Sequence, residues 1–197
     1  NNSLKMIGEA MYKIEKNPPR LRITKVVNDM LKHLGPEMKF SNRIIVSNLW
    51  LFGPAFKRVF SKTNTGNATL RTTAVPTMAK GSDSPNVLPD VASVTFNCRI
   101  LPGETVDGVL DYFNNTISNP EIKIEKMEFN EPSKISQVDS DAFKKIEKTI
   151  YEVFPESIVS PYLVTGSTDT IKYDHICENA YRFSPFQISV DDLERMH

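Results

Sequence analysis

The sequence predicts a two-layer α+β fold, and three observations support this prediction. First, apolar and polar residues alternate over residues 92–100, which is the pattern of a strand with one buried face. Second, apolar residues recur at helical spacing on both sides of this strand, in residues 4–14 and 106–117. Third, the predicted elements follow the order helix, strand, strand, helix, strand. This order is typical of a sheet packed against helices.

A short amphipathic helix is predicted at the start of the chain. Ser3 is the expected N-cap, because a serine side chain can accept a hydrogen bond from a free amide of the first turn. The helix should end at the Asn-Pro-Pro of residues 17–19, because a proline disfavours helical geometry in the residue before it. The predicted apolar stripe consists of Leu4, Ile7, Met11 and Ile14.

Residues 20–63 are also predicted to be mainly helical. A first apolar stripe, which should end at Gly35 and Pro36, consists of Val26, Val27, Met30, Leu31 and Leu34. A second apolar cluster, Leu-Trp-Leu-Phe, occupies residues 49–52 and runs into Gly53 and Pro54. This cluster could form a surface for a partner or substrate, but aromatic and aliphatic residues at such spacing more often form a core. The sequence therefore predicts that the cluster is buried.

Two strands are expected next. Residues 70–80 are rich in Thr and Val but contain Pro76, so this strand should lie at an edge or carry a bulge. In the following strand Cys98 falls on the apolar face and Arg99 on the polar face. A guanidinium in this position can form a paired, planar contact with a carboxylate from a ligand or a neighbouring chain. The alternative for Arg99 is an ordinary surface salt bridge.

Thr105 is the predicted N-cap of a further helix. The apolar face of this helix consists of Val106, Val109, Leu110, Phe113 and Ile117. Alternation around Ile122 and Ile124 then predicts a short strand over residues 121–128. The composition becomes polar around residues 131–133, where we place a domain boundary.

Three elements are predicted beyond this boundary. A helix is marked by the spacing of Phe143, Ile146, Ile150 and Phe154. A short strand follows over residues 162–165, and the Gly-Ser-Thr-Asp of residues 166–169 should turn the chain into another helical segment.

Composition excludes several classes of function. The 197 residues contain 24 Lys and Arg and 24 Asp and Glu, so no overall positive field attracts nucleic acid. Nucleic acid is therefore not an expected partner. No apolar run reaches the roughly 20 residues that span a bilayer, so a membrane is not an expected partner either. With only two cysteines, Cys98 and Cys177, a disulfide framework is not expected. The chain begins with Asn1 rather than Met, which suggests a fragment or a processed product.

The residues alone do not define a catalytic centre. A catalytic zinc site typically takes three protein ligands. The chain has only three histidines, and it contains no H-E-x-x-H, C-x-x-C or H-x-D motif, so a complete zinc site cannot be read from the sequence. Ser167, beside Gly166 and near His175, suggests a serine hydrolase, but the G-x-S-x-G motif is missing. His175 and His33 are therefore interpreted as structural or surface residues.

Several short strings together resemble a known family. In chain order they are R-T-T-A-V-P-T-M-A-K-G, N-V-L-P-D, F-N-C-R-I-L-P-G-E-T, T-G-S-T-D-T, A-Y-R-F-S-P-F and E-R-M-H. In this order they are similar to the C-terminal portion of zinc metallopeptidases of the carboxypeptidase S and aminoacylase type. Acetylornithine deacetylase and succinyl-diaminopimelate desuccinylase belong to the same family. The resemblance covers nearly the whole chain.

The resemblance implies a division into two parts. Residues 1–130 would form a ferredoxin-like lid or dimerisation domain, with a helical insertion at residues 20–63. Residues 131–197 would be the C-terminal segment of an α/β zinc-peptidase catalytic domain. In this family the lid sheet has a β-α-β-β-α-β order, so the first strand is expected to precede Asn1 and to come from another segment. Contact between two lids would give a homodimer.

The resemblance also assigns site residues. Asn86 and Arg99 match lid residues that reach a carboxylate or amide group of the substrate. Gly166, Thr168 and Asp169 match a substrate-holding turn, although Ser167 and Thr170 replace the glycine and serine of the family pattern. His197 matches a zinc ligand.

The implied activity is hydrolysis of an amide bond next to a free carboxylate, in a small peptide or an N-acyl amino acid. Two zinc ions would activate a bridging water. The family's other metal ligands and its glutamate general base precede the first residue of this sequence, so the chain alone is expected to be inactive. The alternative is a non-catalytic α+β dimerisation or binding module.

Overall fold

The computed structural model describes residues 2–166 and 168–185. In these residues the chain forms helices and one antiparallel sheet, as the α+β prediction requires. The helices are α1 (Ser3–Lys16), α2 (Lys25–Leu34), α3 (Phe40–Ser47), α4 (Leu49–Phe60), α5 (Asn64–Leu70), α6 (Val106–Ile117) and α7 (Asp141–Val153). The sheet pairs β1 (Thr73–Lys80) with β2 (Ser93–Arg99). Short 3-10 segments occupy Gly35–Glu37 and Asp169–Tyr173.

The first core lies between one face of the sheet and two helices, α1 and α6. Its buried residues are Ala10, Ile14, Val109, Phe113 and Ile117. From β2, Phe96 packs edge-on against Phe113 with 5.1 Å between ring centroids, and Cys98 also contacts this core. Arg99 is exposed, so the predicted alternation along β2 is confirmed. Burial raises the pKa of the Cys98 thiol, which therefore stays protonated at neutral pH.

Strand β1 contains the expected irregularity. The pairing runs from Thr73 opposite Arg99 to Pro76 opposite Phe96, and then shifts so that Met78 lies opposite Thr95. Proline has no amide hydrogen to give to a ladder, and a bulge removes the need for one. The prediction of an edge or bulged strand is confirmed.

The cap of α1 differs from the prediction by one residue. Asn2 is the N-cap, because its Oδ1 atom accepts a hydrogen bond from the Leu4 amide at 3.0 Å. Ser3 is the first helical residue, and its hydroxyl donates to the Pro89 carbonyl at 2.7 Å. Both residue types cap helices well, so the sequence does not distinguish them. The Thr105 cap of α6 is confirmed, since its hydroxyl accepts from the Gly108 amide at 3.1 Å.

Helices α2 to α5 form a second core around Val27, Met30, Leu31 and Leu70. The apolar cluster at residues 49–52 is only partly inside it: Trp50 is 82% exposed and Leu51 56% exposed. The prediction that the whole cluster is buried is therefore wrong. Helix α4 continues through Gly53 and Pro54, and consecutive helical residues are about 100° apart, so four in a row cannot all face one core.

Two predicted strands do not form. Residues 121–128 and 162–165 pair with no strand in the described part of the chain. Ile122 and Ile124 still pack against the first core. The alternation of apolar and polar residues in this segment therefore indicates that one side is buried, but the segment does not pair with β1 or β2. The sheet of the described residues has two strands, and a four-stranded ferredoxin-like layer is not present there. Among these residues no helix is long and apolar enough to cross a membrane.

The two ends of the helical segment between residues 22 and 72 meet at Glu104. Arg22, just before α2, forms an ion pair with this carboxylate, and Thr72, just after α5, donates its hydroxyl hydrogen to it. The Thr72 oxygen also accepts from the Leu101 amide at 2.8 Å, and the Thr72 residue is 1% exposed. The Arg22 amide donates to the Leu70 carbonyl at 2.7 Å. Here the helical segment is joined to the turn between β2 and α6.

Replacing Thr72 tests the importance of this junction. Thr72→Val keeps the side-chain shape but leaves the buried Leu101 amide and the Glu104 carboxylate each without one hydrogen bond. We expect a loss of about 1–3 kcal/mol in the free energy of unfolding, measured by urea denaturation. Glu125→Gln, which removes the exposed ion pair with Lys123, is the control and should leave the midpoint unchanged. Equal midpoints for both variants would contradict this account of the junction.

Candidate functional site

Arg99 is the last residue of β2, on the face of the sheet turned away from the first core. Its side chain is exposed, and Thr73 lies opposite it on β1. Within residues 2–166 and 168–185, no carboxylate pairs with this guanidinium and no hydrogen bond engages it. The surface salt bridge considered above is therefore absent from this part of the chain. The fork of N–H donors is available to a planar anion such as a carboxylate.

Asn86 is exposed in the loop between β1 and β2. This loop adjoins Ser93, whereas Arg99 stands at the opposite end of the strand, about 20 Å away at the usual rise per residue. The loop is held at Pro89 by the Ser3 hydroxyl, at the start of α1. The structure therefore does not bring the Asn86 and Arg99 side chains together within one chain.

The turn that follows Gly166 is fixed by side-chain hydrogen bonds. The Thr168 hydroxyl oxygen accepts from Arg182 Nε at 2.8 Å and lies 2.7 Å from the Thr170 hydroxyl. Asp169 forms an exposed ion pair with Lys172 at 2.7 Å, within the 3-10 segment that follows. No hydrogen bond or ion pair in the described residues joins this turn to Arg99 or Asn86.

Arg182 is a positioning residue that the sequence did not reveal. Besides Thr168, its guanidinium contacts Ser133, with 3.3 Å between Nη2 and the hydroxyl oxygen. Nearby, the Ser136 hydroxyl donates to the Ala180 carbonyl at 3.1 Å and accepts from the Ala180 amide at 2.9 Å. The string A-Y-R-F-S-P-F contains Arg182, but nothing in its spacing indicates that the guanidinium reaches a turn 14 residues earlier.

Zinc, the metal that the resemblance implies, has no set of ligands in the described residues. No group of three or more His, Cys, Asp or Glu side chains among them could hold a metal ion. His33 Nδ1 lies 2.8 Å from the Asp29 carbonyl, which engages that nitrogen within α2. His197 and Ser167 lie outside the described residues. The side chains present here do not fit a two-zinc centre.

The role of Arg182 can be tested by hydrogen exchange. Arg182→Gln removes the ionic donor to Thr168, so we expect faster amide exchange across residues 168–173, measured by mass spectrometry. Lys172→Gln is the matched control, because it removes only the exposed pair with Asp169. The assignment fails if the control accelerates exchange as much as Arg182→Gln does.

The fold and the exposed site together are those of an α+β domain with a strand that ends in an arginine, which no carboxylate pairs with among the described residues. Comparison with known families agrees with this description: the peptidase dimerisation domain family, M20_dimer, matches residues 1–125. The chain belongs to this family, and its resemblance to the zinc peptidases of the carboxypeptidase S group is confirmed.

Individual relatives extend the match over the rest of the chain. Probable carboxypeptidase S-like 2 of Dictyostelium discoideum is 34% identical over 199 residues, which cover 100% of this chain and 38% of that protein. N-fatty-acyl-amino acid synthase/hydrolase PM20D1 of Mus musculus is 33% identical over 199 residues, covering 99% and 40%. The chain thus spans about two fifths of these relatives. No solved structure gives a significant match.

Proposed function

We propose that this chain is part of a zinc-dependent amidohydrolase that cleaves an amide bond next to a free carboxylate. In this proposal residues 1–130 are the lid and residues 131–197 close the catalytic domain. The substrate is a small peptide or an N-acyl amino acid. The family match and the names of the relatives, a carboxypeptidase and an acyl-amino-acid hydrolase, support this substrate class.

The observation that carries the proposal is the guanidinium of Arg99, which is exposed and has no partner in the described part of the chain. A substrate with a free carboxylate needs a charged, planar partner, and a bidentate contact with arginine fixes both the position and the orientation of the group. The rigid ladder of β2 holds the Cα of Arg99 in place, so the arginine presents its donors without rearranging the backbone. Asn86 would contact an amide or carboxylate group of the substrate, as the matching lid residue of the family is expected to do.

The turn at residues 166–169 is the second proposed substrate contact. Backbone amides and the Thr168 hydroxyl would hold the substrate there, with Arg182 keeping the turn in position. Gly166 and Asp169 contribute to the shape of this turn. His197 would be a zinc ligand, and the remaining ligands of two zinc ions would come from other segments of the complete protein. The zinc ions would polarise the scissile carbonyl and activate water.

We also propose that the protein is a homodimer through its lid. Both β1 and β2 have one edge without a partner strand in the described residues, and such edges pair readily with other segments. In a complete ferredoxin-like layer, one further strand would separate β2 from residues 121–128. The other edge, on β1, would remain available for contact between two lids.

Arg99→Ala in the full-length enzyme tests the main proposal. Loss of a desolvated charge pair should lower kcat/KM, and the decrease should correspond to a loss of about 2–5 kcal/mol in transition-state binding free energy. Lys80→Ala, which removes an exposed cation at the end of the neighbouring strand, is the control and should change kcat/KM little. Unchanged kcat/KM in the Arg99 variant would refute the assignment of Arg99 to the substrate carboxylate.

A zinc titration tests the distribution of ligands. The 197-residue chain should bind zinc weakly and show no measurable amidase activity, because one proposed ligand cannot form a two-metal site. Isothermal calorimetry measures the binding directly, and His197→Ala should abolish any weak heat of zinc binding. Tight, stoichiometric binding would show that further ligands exist in this chain.

The second candidate is a dimerisation or binding module without chemistry. It is favoured by one observation: the family match is to a dimerisation domain rather than to a catalytic one. The gene upstream of Asn1 discriminates between the two candidates. A reading frame that encodes H-x-D and a Glu-Glu pair supports the hydrolase, whereas a start codon close to Asn1 supports the module.

A further inference from the structure

A cleft of about 620 Å³ lies between the start of the helical insertion and helix α4. Its apolar wall consists of three prolines and Leu21, and its polar lining is dominated by four cations, Arg20, Lys57, Arg58 and Arg71. No carboxylate contributes to the lining among the described residues. We call this region the basic cleft.

The backbone around the basic cleft is fixed. The hydrogen bond from the Arg22 amide to the Leu70 carbonyl holds residues 18–22 beside the end of α5. Lys57 Nζ donates to the Leu21 carbonyl at 3.4 Å, which joins α4 to the same segment and leaves other ammonium hydrogens unused. The side chains of Arg20 and Arg58 are exposed, and neither makes a hydrogen bond or ion pair in the part of the chain that is described. Arg20, Lys57 and Arg58 are thus held around one space, and none of them has an anionic partner among the described residues.

Arg71 provides an independent observation. Its Nε atom is buried and has no hydrogen-bond partner among the described residues. Burial lowers the pKa of its guanidinium, but an arginine side chain stays charged in proteins. A buried charged donor without an acceptor costs free energy, and an anion in the basic cleft would compensate the charge of this guanidinium.

The segment that contains Lys57, Arg58 and Arg71 carries no acidic residue. Residues 38–82 contain no Asp or Glu, although the whole chain is electrically neutral. The cations of this segment are Lys39, Arg43, Lys57, Arg58, Lys62, Arg71 and Lys80. Nearby acidic residues of the same segment therefore cannot neutralise the cleft, and the local field attracts anions.

We propose that the basic cleft binds a phosphate group. Several guanidinium forks and one ammonium group offer more donors than a single carboxylate can accept, and they match an anion with three or four oxygens. The apolar wall of prolines and Leu21 fits a phosphate carried on a larger molecule. This site shares no residue with the Arg99 region, so it goes beyond the proposed hydrolase function.

Two sources could supply the phosphate. One is a soluble phosphorylated compound, and the other is the headgroup of an anionic phospholipid. Trp50 is relevant to the second source, because it precedes Pro54 and Arg58 by four and eight residues on the same side of α4 and is largely exposed. An exposed indole beside cations is typical of surfaces that touch lipid headgroups.

Calorimetric titration of the 197-residue chain with inorganic phosphate tests the site. At constant ionic strength we expect binding to the unmodified chain, a loss of affinity of about tenfold in Arg58→Gln, and a similar loss in Arg71→Gln. Lys62→Gln is the matched control, because Lys62 is an exposed cation of the same segment that does not line the basic cleft. Circular dichroism checks that each variant is folded. If Arg71→Gln does not fold, the affinity of the Arg58→Gln variant decides, because Arg58 is exposed and its replacement should leave the fold intact.

The fluorescence of Trp50, the only tryptophan of the chain, distinguishes the two sources. Vesicles of phosphatidylcholine with phosphatidylglycerol should shift its emission to the blue if a headgroup binds, and Arg58→Gln should reduce this shift. Phosphate binding without a vesicle effect supports the same site with a soluble ligand. The proposal is overturned if phosphate does not bind, if acetate binds equally well, or if Lys62→Gln weakens binding as much as Arg58→Gln.

Discussion

The hydrogen-bonded ion pair at Glu104 is the constraint on which the rest of the structure depends. One carboxylate receives Arg22 from the start of the helical segment and Thr72 from its end. Because both ends are fixed at one point, a segment of about 50 residues costs the sheet little, since closing a longer loop adds only slowly to the entropic penalty. The same carboxylate lies in the turn between β2 and α6, so the segment is attached directly beside two elements of the first core.

The two cores that this junction separates do different work. The first core, between α1, α6 and the sheet, fixes the face of β2 that turns Arg99 outward. The second core is made within the segment that contains α2 to α5, and the side of α4 that it leaves exposed bears Trp50 and Arg58. The apolar packing of each core thus determines which polar groups are presented to solvent, and the two faces offer different ligand chemistry.

The proposed substrate contacts are spread over the chain rather than gathered in one pocket. Arg99, Asn86 and the turn after Gly166 belong to three regions that no hydrogen bond or ion pair joins to one another in the described residues. Separate contacts are expected if other segments of a longer protein complete the proposed substrate site. The chain spans about two fifths of the length of its relatives, so proteins of that length contain such further segments.

The sequence by itself determined the elements whose local pattern and tertiary environment agree. Alternation in β2, Pro76 in β1 and the Thr105 cap each act through neighbouring atoms, so residue spacing sufficed to predict them. Only the tertiary structure decided the features that need distant partners: whether residues 121–128 gain a neighbouring strand, which residues of the 49–52 cluster are buried, and which turn Arg182 supports. A strand needs a second backbone and burial needs a covering surface, and neither is encoded in the spacing of one segment.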